Sequence, residues 1–255
     1  MWHSSSTQTF QNRWDGGPGF KDMFLYTPDY RDQGNFAAWN LGPYYKNWWP
    51  DVQFPVEDDE AWLQATRSRY VEYGSDANVK LHSGAAALGS DIVYLTNSAS
   101  GVRALMTIVK SNSTNTKALV CYEGYGYVYP DNVNVTGAAS PFGGGYGPYI
   151  VPLEDFKKLA RLETVMFYWS DHRDESFTFR KQSRQVAALI NLYGGNAKVV
   201  KLGDDLGFKG STHVAFADMD SDKLADHLED FLEENGLADY AKGADDRRGS
   251  RCMRT

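Results

Sequence analysis

The segment "YLTNSASGVRAL", Tyr94 to Leu105, reads as a strand that bends sharply into a helix with a serine at the bend. A serine at such an elbow has its hydroxyl pushed out at the carboxyl end of a sheet, poised to attack a carbonyl carbon. The tight turn requires small residues two positions to either side. Ser98 meets this requirement, with Thr96 and Ser100 at those positions and Gly101 next. Ser100 does not, because Val102 is β-branched and serves better as the first core residue of the helix. Ser98 is therefore the candidate nucleophile, although the glycine that usually stands two residues before such a serine is Thr96 here. The plain alternative is that these serines only cap the helix. A helix starting near Ala99 would aim its free N–H groups at charge developing on a carbonyl oxygen, making the Ala99 N–H a candidate oxyanion donor.

A serine nucleophile needs a base, and the base needs a carboxylate that fixes its tautomer. Of the five histidines, His213 has the matching context: a glycine-bearing loop, "LGFKGSTHVAF", between the last strand and the last helix. His3 is terminal, His82 precedes the elbow strand, His172 lies in an acidic loop, and His227 falls inside a helix. Two places offer the carboxylate. Glu123 ends the apolar run "ALVCYE", where a lone acid is costly to bury without a partner. The loop "SDHRDES" offers Asp171, Asp174 and Glu175, of which at least two read as solvated. Glu123 and Asp171 both stay open as the acid.

The elements that must position these residues follow from periodicity. "DIVYLT" (91–96), "KALVCYE" (117–123), "ETVMFYW" (163–169) and "AKVVKL" (197–202) are apolar runs of strand length. Between and after them, "GVRALMTIVK" presents Val102, Leu105, Met106 and Val109 on one helical face, and "SRQVAALINLYGGN" reads as a helix with a glycine stop. "DSDKLADHLEDFLEENG" has Asp220 or Ser221 as N-cap, a Leu224, Leu228, Phe231, Leu232 stripe, and Gly236 beyond its end. Alternating strand and helix predicts an α/β domain with a mainly parallel sheet flanked by helices. A further helix is expected over Glu57–Tyr70, residues 1–56 read as loops around short elements, and 239–255 as a disordered polar tail behind a single domain spanning 1–238.

Composition narrows the function classes. A net charge of -7 and a pI of about 5.2 argue against binding a nucleic-acid backbone. No run of about 20 apolar residues is present to span a membrane. Cys121 lies in an apolar run and Cys252 in a basic tail, so they are not expected to pair. The sequons at Asn112 and Asn134 and the absence of a signal peptide leave the compartment open.

Taken together, "YLTNSASG", "VCYEG", "FYWSDHRDES" and "GFKGSTHVAFADMDSDKLADHLEDFL" resemble the elbow, acid strand, acidic loop and histidine segment of a group of α/β-hydrolase esterases from bacteria and fungi. "WNLGPYYKNWWPDVQFPVEDDEAWLQ" is similar to their region ahead of the elbow, and the likeness covers about residues 35–236. The resemblance implies an α/β-hydrolase-like sheet, Ser98 as nucleophile, His213 as base, Glu123 as acid with Asp171 as supporting or alternative acid, no cofactor or metal, and a small-molecule ester as substrate. It also implies that several N-terminal strands and a His-Gly oxyanion loop are missing. Asn97 and Ser170 stand where the family has histidine and glycine. The expectation is thus a carboxylic ester hydrolase, with a catalytically impaired relative as the alternative and a glycan-binding module on the tyrosine-rich loops as a weaker one. The oligomeric state is left open, a homodimer included.

Overall fold

The computed structural model describes residues 32–56, 91–135 and 146–238. Its centre is a four-stranded, wholly parallel sheet of β1 (Ile92–Asn97), β2 (Thr116–Tyr122), β5 (Thr164–Trp169) and β6 (Ala197–Lys201), in the order β1-β2-β5-β6. The apolar runs form strands buried on both faces because side chains alternate across the pleat. From β2 and β5, Leu119, Cys121, Val165, Phe167 and Trp169 enter one core, while Val120, Tyr122, Met166 and Tyr168 enter the other.

Two helices cover the first face: α2 (Ser100–Lys110), and α4 (Thr178–Leu192) through Phe179, Val186 and Ile190. Leu105 and Val109 of α2 are wholly buried, each contributing about 1.5–3 kcal/mol by leaving water. The second face is covered by the short α5 (Leu202–Leu206) and by α6 (Ser221–Glu234), which inserts Leu224 and Phe231. Asp220 is the N-cap residue of α6, and Gly236 closes its far end at φ 67°, the left-handed conformation glycine adopts freely. The expected α/β class and parallel sheet are thus present. α4 begins five residues earlier than its apolar pattern suggests, because polar Gln182 and Ser183 are buried there and Trp169 donates to Ser183 Oγ at 2.9 Å.

The tyrosine-rich stretch departs from the loop expected of it. Its two ends pair in parallel as β3 (Val128–Pro130) and β4 (Tyr149–Val151), with α3 (Leu153–Phe156) following, and Tyr127 and Tyr129 are core residues. An N-terminal arm carries α1 (Asp32–Ala38) and docks on the loop after β6: Phe36, Leu41 and Phe54 pack with Val214, while Gln53 N donates to the Gly210 carbonyl at 3.0 Å. The helix expected over 57–70, the polar tail and the segment ahead of α1 lie outside the described residues. Among the described residues no helix is long and apolar enough to cross a membrane.

Candidate active site

Sheet register brings the candidates together. Asn97 of β1 is level with Tyr122 of β2, and Tyr122 with Tyr168 of β5, so Ser98 and Glu123 are the next residues out on neighbouring strands. Adjacent strands lie about 4.8 Å apart, which sets the scale of the site. Ser98 N donates to the Tyr122 carbonyl at 3.0 Å, and Glu123 N to the Tyr168 carbonyl at 2.8 Å. Both residues then leave the sheet in the left-handed region, at φ 57° and 46°. Non-glycine residues rarely adopt this conformation, and its cost of about 1–3 kcal/mol is tolerated where the surroundings over-determine it.

Local chemistry separates the two serines of the elbow. The Ser100 hydroxyl folds back on the backbone, donating to the Asn97 carbonyl and accepting from Asn97 N at 3.0 Å. It braces the bend. Ser98 is the residue at the bend, followed by Ala99 in right-handed helical conformation at the head of α2. The strictest need for smallness falls one position beyond Ser100: a Cβ on Gly101 would come 2.6 Å from Cys121 Sγ and 3.2 Å from the Gly124 Cα. Burial pushes the Cys121 thiol up to about 12, so it is packing rather than a reactive group.

Glu123 meets the histidine. Its Oε2 lies 2.9 Å from His213 Nδ1, and the two side chains are only 2% and 4% exposed. Four other donor atoms surround the carboxylate. Ser170 donates to Oε1 from its N at 2.9 Å and its Oγ at 2.6 Å, while Arg173 donates to Oε2 from Nε at 2.9 Å and from Nη2. Burial alone would raise the carboxyl's pKa. The Arg173 charge, with the His213 contact, overrides this and holds the group well below the usual range. Because the carboxylate only accepts, His213 Nδ1 carries the hydrogen, leaving Nε2 as the basic nitrogen.

Asp171 takes another part. It is buried, accepts from Gly210 N at 3.0 Å, donates from its own N–H to Ser211 Oγ at 3.0 Å, and packs so tightly on Gly203 that a Cβ there would fall 1.7 Å from its Oδ1. Among the described residues it makes no hydrogen bond to His213. With Asp51 and His172 it forms the single group of metal-type donors among the described residues, their atoms within 4.8 Å of one another. Those donors are already occupied: His172 Nε2 meets Asp51 at 2.7 Å beneath Trp49, which stacks on its ring, and Lys209 stands 3.5 Å from Asp171.

Several residues that sequence reasoning passed over complete the site. Tyr125 lays its ring 4.8 Å from the imidazole, donates from its N to the Ser98 carbonyl at 3.0 Å, and donates its hydroxyl to the Ala38 carbonyl at 3.1 Å. The carbonyls at the end of α1, which have no acceptor role within the helix, are used here. Ala38 O also accepts from Arg173 Nη2 at 3.1 Å, and Trp39 O from His213 N at 3.0 Å. Asn40, at φ 55°, donates to Ser170 Oγ at 3.2 Å. On the elbow side, Asn97 Nδ2 donates to the His213 carbonyl at 2.8 Å and to the Tyr122 carbonyl at 3.2 Å. The described residues hold no hydrogen bond between the Ser98 hydroxyl and the imidazole. The signal for Arg173 was present in "SDHRDES": a lone cation in an acidic loop, one segment away from a lone buried acid.

Such an arrangement offers a hydroxyl on a strained turn, an imidazole with a fixed tautomer, and a helix start that can face developing negative charge. No protein-family model and no curated protein matches the chain, which leaves these residues as the guide to its chemistry.

Proposed function

We propose that the protein is a serine hydrolase of α/β-hydrolase type that cleaves carboxylic esters through an acyl-enzyme on Ser98. The single observation that carries this reading is the buried 2.9 Å contact between Glu123 Oε2 and His213 Nδ1, beside an elbow serine at φ 57°. His213 Nε2 takes the Ser98 proton as Oγ attacks the ester carbonyl. The resulting oxyanion is met by the Ala99 N–H at the head of α2. His213 then returns the proton to the departing alcohol, and afterwards activates a water that releases the acid and frees Ser98. Glu123 stays anionic throughout and stabilises the imidazolium.

The test is covalent labelling. Purified protein treated with an aryl phosphonate and, separately, a p-nitrophenyl ester should show stoichiometric adduct on Ser98 and a burst of nitrophenol. Both should be lost in Ser98→Ala and kept in Ser100→Ala. A folded protein that never labels overturns the proposal in favour of a non-catalytic relative.

A further inference from the structure

A carboxylate that already accepts two hydrogen bonds from a buried guanidinium is a different partner for an imidazole than a carboxylate alone. We infer that Arg173 is a positioning residue that sets the pH range of the site: by neutralising Glu123 inside the buried cluster, it makes the Glu123–His213 pair harder to protonate. Arg173 is itself 7% exposed, bonded to Glu123 through Nε and Nη2, to the Ala38 carbonyl through Nη2, and seated 4.5 Å over the Phe177 ring. Its carbonyl is in turn held by Arg180 Nη1 at 2.8 Å. A cation held this firmly acts as a fixed charge. Because the pair takes up its first proton as a unit, a fixed positive charge beside it opposes uptake whichever atom receives the proton.

The remaining groups around the pair do not duplicate this charge. Arg180 is engaged by Glu175. On the acidic side stands Asp218, bonded to Thr212 next to the histidine and raised to about 6 by burial. Tyr125, Tyr127 and Cys121 line the cluster as uncharged groups. Arg173 is thus the one cation bonded to Glu123 among the described residues. The inference rests on the proposed triad only for its kinetic arm.

The experiment compares the wild-type chain with Arg173→Met, which removes the charge, Arg173→Gln, which keeps a donor, and Arg173→Lys, which keeps the charge without the fork. Histidine labelled with carbon-13 reports the titration midpoint of the imidazole, assigned by its loss in His213→Gln. The acid limb of phosphonate labelling is followed in parallel. The midpoint and the limb should both rise by about 1 to 3 pH units in Arg173→Met. If that variant does not fold, Arg173→Gln should show the same rise. Arg173→Lys should keep the limb while labelling more slowly. An unmoved or lower midpoint in the folded neutral variants overturns the inference even if Ser98 labels normally. A raised midpoint in a chain that never labels upholds it while the esterase reading fails.

Discussion

Glu123→Gln exchanges one carboxylate oxygen for an NH₂ group and removes one charge, and the surroundings allow its cost to be worked through. Every polar group facing the carboxylate is a donor: Ser170 N and Oγ on Oε1, Arg173 Nε and Nη2 with His213 on Oε2. An amide placed there must turn its own NH₂ toward one of these sets. If it faces Ser170, a backbone N–H and an amine are opposed. If it faces His213, the imidazole has to present Nδ1 as acceptor, and the hydrogen moves to the nitrogen that should receive the Ser98 proton. This wrong tautomer costs about 10⁴ in turnover where it has been forced on such triads, equivalent to about 5.5 kcal/mol of barrier. Separately, Arg173 loses its counter-charge while buried, a change worth about 3–5 kcal/mol of stability. We therefore expect the phosphonate labelling rate of Glu123→Gln to fall by about 10³ to 10⁴, together with a lowered urea midpoint. Asp171→Asn is the control. Its amide oxygen can still accept from Gly210 N, and its Lys209 partner is largely exposed, so labelling should fall by no more than about tenfold. Equal losses in the two variants, or labelling of folded Glu123→Gln within tenfold of wild type, would refute the assignment of the acid.

Gly101→Ala places a Cβ 2.6 Å from Cys121 Sγ and should destabilise by about 1–3 kcal/mol in chemical denaturation, with partial recovery in the Gly101→Ala/Cys121→Ala double variant. Ser100→Ala removes the hydroxyl that braces Asn97 and should cost about 0.5–2 kcal/mol while leaving labelling at Ser98 intact, as mass mapping of the adduct would record. Asp218 gives a pH signature. Its carboxyl is raised from 3.8 to about 6 by burial, so the folded chain binds more protons than the unfolded one across that interval, and the Asp218 contribution to stability falls as pH rises from about 4 to about 6. Asp218→Asn should remove that fall. Its urea midpoints, subtracted from wild type at each pH, should therefore show the variant gaining relative stability up to about pH 6 and then levelling; a flat difference would refute the shift.

The elements that carry the sheet were legible because burying both faces of a strand leaves an uninterrupted apolar run, as in "ALVCY" and "TVMFYW". Ser98 was separable from Ser100 because backbone curvature excludes a β-branched neighbour, and Glu123 was conspicuous as an acid at an apolar strand end. Arg173, Ser170 and Tyr125 were not legible as a set. Their contacts close over 47 to 135 residues of chain, and no local period encodes such closures. The start of α4 was hidden for a related reason: Gln182 and Ser183 read as surface but are buried. The buried tyrosines 127 and 129 have the sequence signature of a loop, because glycine and tyrosine together suit a pocket wall as well as a core.

Three bonds of the site end on the backbone oxygens of Ala38 and Trp39, and a carbonyl oxygen is supplied by any amino acid. At those two positions the site reads the arm through its backbone path, while the Trp39 side chain packs separately against Phe54, ring centroids 5.6 Å apart. One residue further on the site reads the side chain as well, since Asn40 must both adopt a positive φ and reach Ser170 with its amide. Substitutions at 38 that preserve the turn should pass unnoticed by the histidine and the guanidinium, and those at 39 should do so where an aromatic ring is kept against Phe54, whereas a single inserted residue ahead of Asn40 would shift both acceptors out of reach without altering a side chain of the triad.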